Sequence, residues 1–591
     1  MNLLRIVASC LITLLLSCSV TASSGPPAQA GSSAEAAAQL HPSIRFGDDE
    51  DLSYNAVFFP GAEHTEAITT PDALLGQQHG SRLAHHSEVL AAFRIWSDQS
   101  ERMTLQTFGR THEGRDLVLG IITSKENQAR IGELKAQHAK LASGTLSADA
   151  VQGLLADMPA VAWMGYSIHG DELSGTDAAL AVAYHLIADQ GDANQSMLDD
   201  MIIVVDPCLN PDGRERIISM VEQSAGYTPN LNYSSMHRGH WPNGRGNHYL
   251  FDMNRDWMAG TQPETRARWQ ALREWNPQLF VDAHEMGALD TFLFYPQAAP
   301  INLQMPAKHL FWQTEFAGDA ALAFDANGWS YYTREWADGW APFYSDAFAS
   351  LMGAIGILYE QAGTRGASLR RASGEILTYR EAVHHQVQAS FSNLTTLHRR
   401  RAEVLKDYAD NKRKNLNPKA EGNDQWLAVI PGKDQSRWRE LLRVLDGQGI
   451  EVFQAPTSLS MSQASGSRGQ TQESLDLPVG SLLIPARQEQ RQLLRAFFEF
   501  DPRIDLETLK KEREELERKN SSKMYDMTAW SLPHAYDLDA WWGNLDVSAD
   551  QLKAGAPTLA AGGLLGKAES NVYAWIVDGH DDSAVGFAAR A

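Results

Sequence analysis

Residues 160–175 read AVAWMGYSIHGDELSG and contain the change from strand to loop to helix on which the fold prediction depends. The run 160–167 is short and apolar, which is typical of a strand buried on both faces. Residues 175–188 continue with the periodicity of a helix. Between strand and helix lie His169 and Glu172, three residues apart. This loop is therefore either half of a metal site or a surface turn with two polar side chains.

The alternation of strands and helices continues on both sides of this stretch. A hairpin is predicted within 105–123, strands at 201–210, 278–285 and 354–361, and helices over 126–142, 264–275 and 380–413. Strands that alternate with helices predict an α/β domain with a largely parallel or mixed sheet. We assign this domain to residues 45–412.

A polar linker at 413–424 precedes a second, smaller α/β unit at 425–591. Its predicted elements are strands at 426–432, 450–455 and 481–486, a helix at 437–449, a low-complexity loop at 458–474 and a charged, solvated helix at 506–520. The final run, 574–591, stops just after a strand-like segment, so an incomplete copy of a longer domain is one interpretation. No internal repeat is recognisable.

Composition narrows the classes of partner. The 591 residues suffice for more than one domain with sizeable cores. Lys and Arg number 51 against 73 Asp and Glu, and the net charge is −22. This balance argues against nucleic acid or an anionic membrane as the main partner.

The first 22 residues predict an export signal, because a short apolar core follows Arg5. Two processing sites compete: the small-x-small sequence VTA ending at Ala22, and LLSC, which resembles a bacterial lipobox and would leave Cys18 lipidated. Residues 23–44 are predicted to be a flexible tether. The expected location is the periplasm, the outer membrane as a lipoprotein, or the medium. Only three cysteines are present, so no disulfide framework is expected.

Polar side chains follow three of the predicted strands. His169 and Glu172 follow the first, His284 follows LFVDA, and Glu360 follows AIGILY. Ligands in open α/β sheets gather at the carboxyl ends of strands, so these residues are expected to converge. Two imidazoles and a carboxylate, with a fourth position left for water, make up a catalytic zinc site. A lone histidine is usually a satisfied loop or core residue, but three such groups at strand ends favour the metal site.

The segment 244–257, GRGNHYLFDMNRDW, adds groups suited to substrate binding. Arg245 and Arg255 are the side-chain type that recognises carboxylates through paired hydrogen bonds. Asp252 could orient a metal-ligating histidine. The alternative is a hydrogen-bonded loop with surface charges.

Taken in order, five motifs resemble those of the zinc metallocarboxypeptidases of the carboxypeptidase A type. They are HGDE at 169–172, NPDG at 210–213, GRGNHYLFDMNR at 244–255, DAHE at 282–285 and YEQ around Glu360. The resemblance covers roughly residues 60–400. It implies a central mixed sheet of eight strands flanked by helices, one Zn²⁺ per catalytic domain, and peptide or protein C-termini as substrates.

Carried over by position, the resemblance also implies a role for each polar residue. His169, Glu172 and His284 would bind zinc, Asp252 would hold His169, Glu360 would be the general base, Arg245 would polarise the scissile carbonyl, and Asn254 and Arg255 would bind the terminal carboxylate. The family also uses a loop tyrosine, for which Tyr344 is preferred over Tyr332. The C-terminal unit resembles an accessory region of some bacterial members, which can be glutamine-amidotransferase-like. No cysteine or evident triad lies in it, so a scaffold or binding role is expected.

Three functions remain open at this point. The first is an exported zinc exopeptidase acting on C-terminal peptide bonds through a zinc-activated water. The second is a peptidase acting on peptidoglycan stem peptides in the cell envelope. The third is a non-catalytic zinc- or peptide-binding envelope protein. Nucleic acid is not an expected partner, and membrane attachment is expected only through a lipidated Cys18. Cys208 is predicted to be a buried structural thiol.

Overall fold

The candidate site residues are positioned by a principal sheet of seven strands. A computed structural model describes residues 52–226, 230–235, 238–524, 530–548, 552–554 and 574–590. The predicted signal and tether, 1–44, lie outside these residues. In chain order the strands of the first half are β1 Met103–Arg110, β2 Asp116–Ile122, β3 Ala160–Tyr166, β4 Met201–Asp206, β5 Leu279–Met286, β6 Phe292–Phe294, β7 Ala298–Ile301, β8 Asp338–Gly339, β9 Ile355–Ala362, β10 Leu369–Arg370 and β11 Ile376–Leu377.

The principal sheet has the order β1-β2-β4-β3-β5-β9-β6. Its four central strands, β4, β3, β5 and β9, are parallel, and β1, β2 and β6 join antiparallel at the two edges. Every residue of β3, β4 and β9 is buried, as expected for central strands covered on both faces. The predicted mixed α/β sheet is confirmed.

The strand count differs from the eight that the resemblance implies. Seven strands form the sheet within the described part of the chain. Beyond β6, an isolated parallel bridge joins Leu293 to Tyr332, in the place where a further strand would extend the sheet. The pairing covers one residue because the chain leaves the sheet edge on either side of Tyr332.

Helices cover both faces of this sheet. They are Pro71–Leu75, His86–Gln99, Lys125–Ala129, Ile131–Ala142, Ala148–Leu155, Ser174–Ala188, Asp192–Asp200, Pro211–Ser224, Pro263–Trp275, His309–Asn327, Ser345–Leu351 and Tyr379–Leu416. The helix Ser174–Ala188 is buried along its whole length, which accounts for its nearly unbroken run of apolar and small residues. The last helix continues to Leu416, so the first residues of the linker predicted at 413–424 are helical.

A second, antiparallel sheet lies in the C-terminal part. Its strands are β12 Gln425–Ile430, β13 Phe453–Gln454, β14 Leu459–Gly466, β15 Thr471–Leu477, β16 Leu482–Pro485, β17 Asp539–Leu545 and β18 Lys553–Ala554, in the order β15-β14-β17-β12-β16-β13-β18. The helices of this part are Gln435–Gln448, Arg491–Phe497, Leu506–Lys519, Leu532–Ala535 and Ser583–Arg590. The helix Leu506–Lys519 buries no residue, as its charged sequence predicts.

The low-complexity loop predicted at 458–474 is wrong, because this segment forms most of the β14–β15 hairpin. Met461 and Ala464 of β14 and Leu475 and Leu477 of β15 turn inward, and β17 pairs with the other edge of β14. The serine and glutamine side chains face solvent, and they obscured the inward-facing apolar residues in the sequence.

The two sheets share one hydrophobic core through the helices Pro263–Trp275 and Gln435–Gln448. Trp269 fits between two glycines: a Cβ at Gly260 would lie 1.9 Å from its ring, and one at Gly447 would lie 2.8 Å away. Arg443 donates to the Gly260 carbonyl at 2.8 Å. No helix among the described residues combines the length and apolarity needed to cross a bilayer.

Candidate active site

His169, Glu172 and His284 meet at the carboxyl end of the parallel strands. The Nδ1 atoms of His169 and His284 lie 2.6 and 2.9 Å from the Glu172 carboxylate and 3.2 Å from each other. One donor atom from each residue lies within 4.8 Å of the other two. The sequence prediction that these three residues converge agrees with this geometry.

The loop between β3 and the following helix is held by close backbone packing. A Cβ at Gly170 would lie 2.2 Å from the Arg214 nitrogen and 2.3 Å from the Gly213 carbonyl carbon. Gly213 is itself packed against the Gly244 oxygen, 2.3 Å from its would-be Cβ. The HGDE, NPDG and GRG motifs are therefore neighbours in space, and their glycines permit this approach of backbone to backbone.

A buried ion pair fixes the end of this loop. Arg214 and Asp177 are fully buried and 2.7 Å apart. Arg214 also donates to the Leu173 carbonyl at 2.8 Å, directly after Glu172. The Tyr379 hydroxyl reaches the same carbonyl at 3.0 Å and Asp177 at 2.5 Å. This network positions Glu172 without touching the metal-ligand atoms.

Replacing Arg214 with methionine is expected to lower the free energy of unfolding by about 3–5 kcal/mol, because Asp177 would remain buried without its cation. Urea unfolding followed by tryptophan fluorescence measures the change. Lys406→Met provides the control: its pair with Asp410 is exposed, and such pairs contribute at most about 1 kcal/mol. Equal losses for the two variants would contradict this account.

The register of two parallel strands places Glu360 beside the ligands. His284 of β5 is paired with Glu360 of β9, so their side chains project from the same face of the sheet. The same period of two puts Asp282 on the His284 face, and its carboxylate lies 2.6 Å from His284 Nε2. Ser345 donates a short hydrogen bond to that carboxylate.

The site residues predicted from the sequence do not include Asp282, although the motif DAHE contains it. The available signal was the alternation D-x-H within a predicted strand, which places both side chains on one face. A carboxylate on the outer nitrogen of a metal-ligating imidazole fixes the ring and its tautomer. The Asp282 carboxylate lies at this nitrogen of His284, and the Asp252 carboxylate lies at the corresponding nitrogen of His169.

Asp282→Asn is expected to weaken zinc binding about 10–100-fold, the usual effect of losing such a partner. Competition with a chromophoric chelator measures the affinity. Asp346→Asn is the matched control, because Asp346 lines the same cavity but accepts its hydrogen bond from Tyr295, 2.8 Å away. An unchanged affinity for Asp282→Asn would show that His284 needs no carboxylate partner.

Glu360 is a buried carboxyl group beside the ligand cluster. The residue is 7% exposed, and its buried Oε2 has no hydrogen-bond partner among the described residues. Burial, with a further contribution from the nearby Glu172 carboxylate, raises the pKa of Glu360 to about 8, although His284 opposes the shift. Such a group is mostly protonated at neutral pH, and it can exchange a proton with a bound molecule once a nearby positive charge favours its ionised form.

The segment after Gly244 brings Asp252 and Arg245 to the ligands. The Asp252 carboxylate lies 3.1 Å from His169 Nε2, and its other oxygen accepts from Arg245 Nε at 3.0 Å. Burial alone would raise the pKa of Asp252, but the His169 hydrogen bond and the Arg245 charge hold it well below its usual range. Asp252 is thus a charged partner of both residues.

Most of the predicted site residues surround one cavity of about 240 Å³. Its lining includes His169, Glu172, Arg245, Asn254, Arg255, His284, Tyr344 and Glu360. The Arg255 guanidinium lies over the Tyr344 ring, 4.7 Å from its centre. Asn254 accepts from the Ser345 nitrogen at 2.9 Å, and its amide nitrogen lies 3.3 Å from His284 Nε2. The cavity therefore joins the ligand cluster to two cationic side chains.

The two tyrosine candidates differ in position. Tyr344 lines the cavity, whereas the Tyr332 hydroxyl lies outside its lining and contacts Met286 Sδ at 3.1 Å. Cys208 is buried, and burial raises the pKa of its thiol to about 11, as is typical of a structural thiol.

The donor set fits a zinc ion. Two imidazole nitrogens and a carboxylate are ligands that Zn²⁺ accepts in catalytic sites. Burial disfavours the imidazolium, yet Asp282 and Glu172 raise the pKa of His284 well above its ordinary value. Burial also disfavours the Glu172 carboxylate, but His169 and His284 hold its pKa well below the usual range. The cluster therefore attracts positive charge, and a dication satisfies all three ligands together.

The sequence of this chain is similar to those of known carboxypeptidases. A sequence profile of the zinc carboxypeptidase family matches residues 92–391, about half of the chain. Carboxypeptidase D of Anas platyrhynchos is 31% identical over 149 residues, which cover 24% of this chain and 10% of that protein. The chain thus spans one tenth of the length of this curated relative.

Solved structures of metallocarboxypeptidases are also similar. The Burkholderia cenocepacia enzyme is 15% identical, with a TM-score of 0.36 over 53% of this chain and 68% of that one. Carboxypeptidase A of Helicoverpa armigera is 14% identical, with a TM-score of 0.36 over 56% and 75% of the two chains. On the strength of the profile match, the class of this protein is that of the zinc-dependent hydrolases. The chain belongs to the zinc carboxypeptidase family.

Proposed function

We propose that this protein is an exported zinc peptidase that hydrolyses the C-terminal peptide bond of peptides or proteins, with Glu360 as general base. The observation that carries the proposal is the convergence of a zinc-type ligand set, a buried free carboxylate and two arginines on one cavity. A peptide carboxylate bound at the arginine side would bring the last peptide bond toward the ligand cluster.

Each residue has a distinct task in this proposal. His169, Glu172 and His284 would hold the ion, and Asp252 and Asp282 would keep the two imidazoles oriented. Bound zinc supplies Lewis acidity, which makes water nucleophilic near neutral pH. The Glu360 carboxylate takes the proton from the attacking water and delivers it to the leaving amine.

Arg255 and Arg245 would contact different parts of the substrate. Arg255, with Asn254, would bind the terminal carboxylate and so select the bond to be cleaved, because charge-assisted paired hydrogen bonds fix a planar group in one orientation. Arg245 lies next to the ligands, with Nη1 3.7 Å from the Glu172 carboxylate, and would stabilise negative charge that develops on the carbonyl oxygen. Tyr344, under the Arg255 guanidinium, would hold this arginine in place.

Peptides that differ only in a free or an amidated C-terminus test the exopeptidase assignment. The purified, zinc-loaded protein is expected to release the last residue from the free form and to leave the amide intact. Equal cleavage of the two would overturn the carboxypeptidase assignment.

Digestion of muropeptides in parallel, followed by mass analysis, distinguishes ordinary peptides from peptidoglycan stem peptides as the substrate. N-terminal sequencing of the mature protein tests export and distinguishes cleavage before Cys18 from cleavage after Ala22.

A further inference from the structure

Two imidazoles and a carboxylate also meet outside the active-site cavity. His64 Nε2 lies 2.9 Å from His185 Nδ1, and His185 Nε2 lies 3.8 Å from Asp189 Oδ2. One nitrogen or oxygen from each of the three residues lies within 4.8 Å of the other two. This cluster has the same ligand types as the proposed catalytic centre, and nothing in the proposed reaction uses it.

Regular backbone structure places these three side chains. His185 lies in the last turn of the helix Ser174–Ala188, and Asp189 is the cap residue four positions later, so both side chains are on one face. His64 and Asp189 form an antiparallel bridge. Its hydrogen bonds run from the Gln190 nitrogen to the Glu63 oxygen at 3.1 Å and from the Thr65 nitrogen to the Ala188 oxygen at 2.9 Å. The cluster therefore does not depend on the conformation of a long loop.

The imidazole of His185 is also held by neighbouring rings. Phe59 stacks on it with a centroid separation of 3.8 Å, and Phe391 meets it edge-on at 4.9 Å. A ring fixed from two sides directs its nitrogen atoms without a further loss of side-chain freedom on binding. A histidine held in this way is better suited to bind a metal ion than a histidine whose ring moves freely in solvent.

The protonation states suit a metal. Burial lowers the pKa of His64, and it lowers the pKa of His185 to about 4, although Asp189 opposes both shifts. Both imidazoles are neutral at neutral pH, and each keeps one nitrogen lone pair. Metal binding requires this form.

A hydrogen-bonded histidine pair accounts for only part of this arrangement. The Asp189 side chain is 10% exposed, and its carboxylate lies 3.8 Å from His185 Nε2, which is too far for a hydrogen bond between them. His185 and Asp189 also line an open cavity of about 510 Å³, which Glu63 borders as well. Space for water or a fourth ligand is therefore present.

We propose that His64, His185 and Asp189 form a second zinc site with a structural role. The ion would join the segment before Pro71 to the end of the helix Ser174–Ala188. Two imidazole nitrogens and one carboxylate oxygen are accepted zinc ligands. Binding through the two facing nitrogens requires that the proton between them moves to the far nitrogen of the same ring, so the imidazoles remain neutral. The site is independent of catalysis at Glu360.

Zinc stoichiometry tests the proposal on the full chain. After dialysis against buffered ZnCl₂, elemental analysis is expected to find two zinc ions in the wild type and one in His64→Gln. One is also expected in His284→Ala, and none in the double variant. If the catalytic centre alone were misassigned, His284→Ala would match the wild type while His64→Gln still lost one ion. A His64→Gln protein with the same zinc content as the wild type would overturn the second site.

A second measurement tests the proposed site even if the His64→Gln chain does not fold. In His284→Ala, where only the proposed second site remains, ZnCl₂ is expected to raise the thermal midpoint, and Cu²⁺ is expected to give an electron paramagnetic resonance spectrum with coupling to two nitrogens. Asp189→Asn, of nearly the same size, should reduce the zinc-dependent rise. If ZnCl₂ does not raise the thermal midpoint of His284→Ala, or if the copper spectrum shows no nitrogen coupling, the second zinc site is contradicted. His64 and His185 would then be only a hydrogen-bonded pair.

Discussion

Replacing Glu360 with glutamine is expected to lower kcat on a C-terminal peptide by roughly 10²–10⁴-fold, the usual contribution of a general base, while zinc stays bound. Glutamine has nearly the same shape but cannot take up a proton. Glu360 is distinct from the three residues that form the candidate ligand cluster, so the metal content should not change. Steady-state kinetics together with elemental analysis of the purified variant measure both quantities.

Glu285→Gln is the matched control for this loss. Glu285 lines the same cavity, and burial raises its pKa to about 7, but its carboxylate accepts a hydrogen bond from the Ser174 nitrogen at 2.8 Å. Its side chain therefore has a structural partner that glutamine can retain. Similar kcat losses in the two variants, or retained turnover in Glu360→Gln, would refute the assignment of the base.

The pH dependence should report the same group. Glu360 acts as a base only when it is ionised, so kcat/KM is expected to fall as the pH falls through its pKa. Burial places that pKa at about 8 when no cation is bound, and a nearby dication favours the charged carboxylate and lowers it. The acid limb should therefore lie below pH 8. A pH–rate profile with no acid limb would contradict ionisation of Glu360 as the controlling step.

Replacing Arg255 with methionine is expected to lower kcat/KM for peptides with a free C-terminus by roughly 10²–10³-fold. Loss of one partner from a hydrogen-bonded charge pair costs about 2–5 kcal/mol, and each 1.4 kcal/mol corresponds to about tenfold. Methionine keeps an unbranched, flexible side chain but removes the charge. The residual rate on amidated peptides should not change, so the preference for a free carboxylate should largely disappear.

Arg365→Met separates this effect from the general loss of a cation. Arg365 lines the neighbouring cavity and lies 3.8 Å from the Asp171 carboxylate. Its removal should leave the ratio of rates on free and amidated peptides close to the wild-type value. If Arg255→Met keeps the wild-type ratio, or if Arg365→Met loses it to the same extent, Arg255 does not bind the terminal carboxylate.

Much of the fold was predictable because periodicity is a local property. The strand predicted at 160–167 is β3 Ala160–Tyr166, and the helix predicted at 264–275 is Pro263–Trp275. The β14–β15 hairpin was not predicted because its strands expose most of their polar side chains. The partners that bury its few apolar residues, such as β17, are distant in sequence.

The sequence by itself determined the class of fold and the set of residues that we propose carry the chemistry. Hydrophobic periodicity depends on residues that are close together in the sequence. The motifs from His169 to Glu360 can likewise be read in order along the chain. The tertiary structure alone decided how these groups meet. Strand register placed Glu360 beside His284 and Asp282 behind it. The close approach of the Gly213–Arg214 backbone explains Gly170. The pairing of His64 with His185 joins segments 121 residues apart, and no local pattern encodes such a contact.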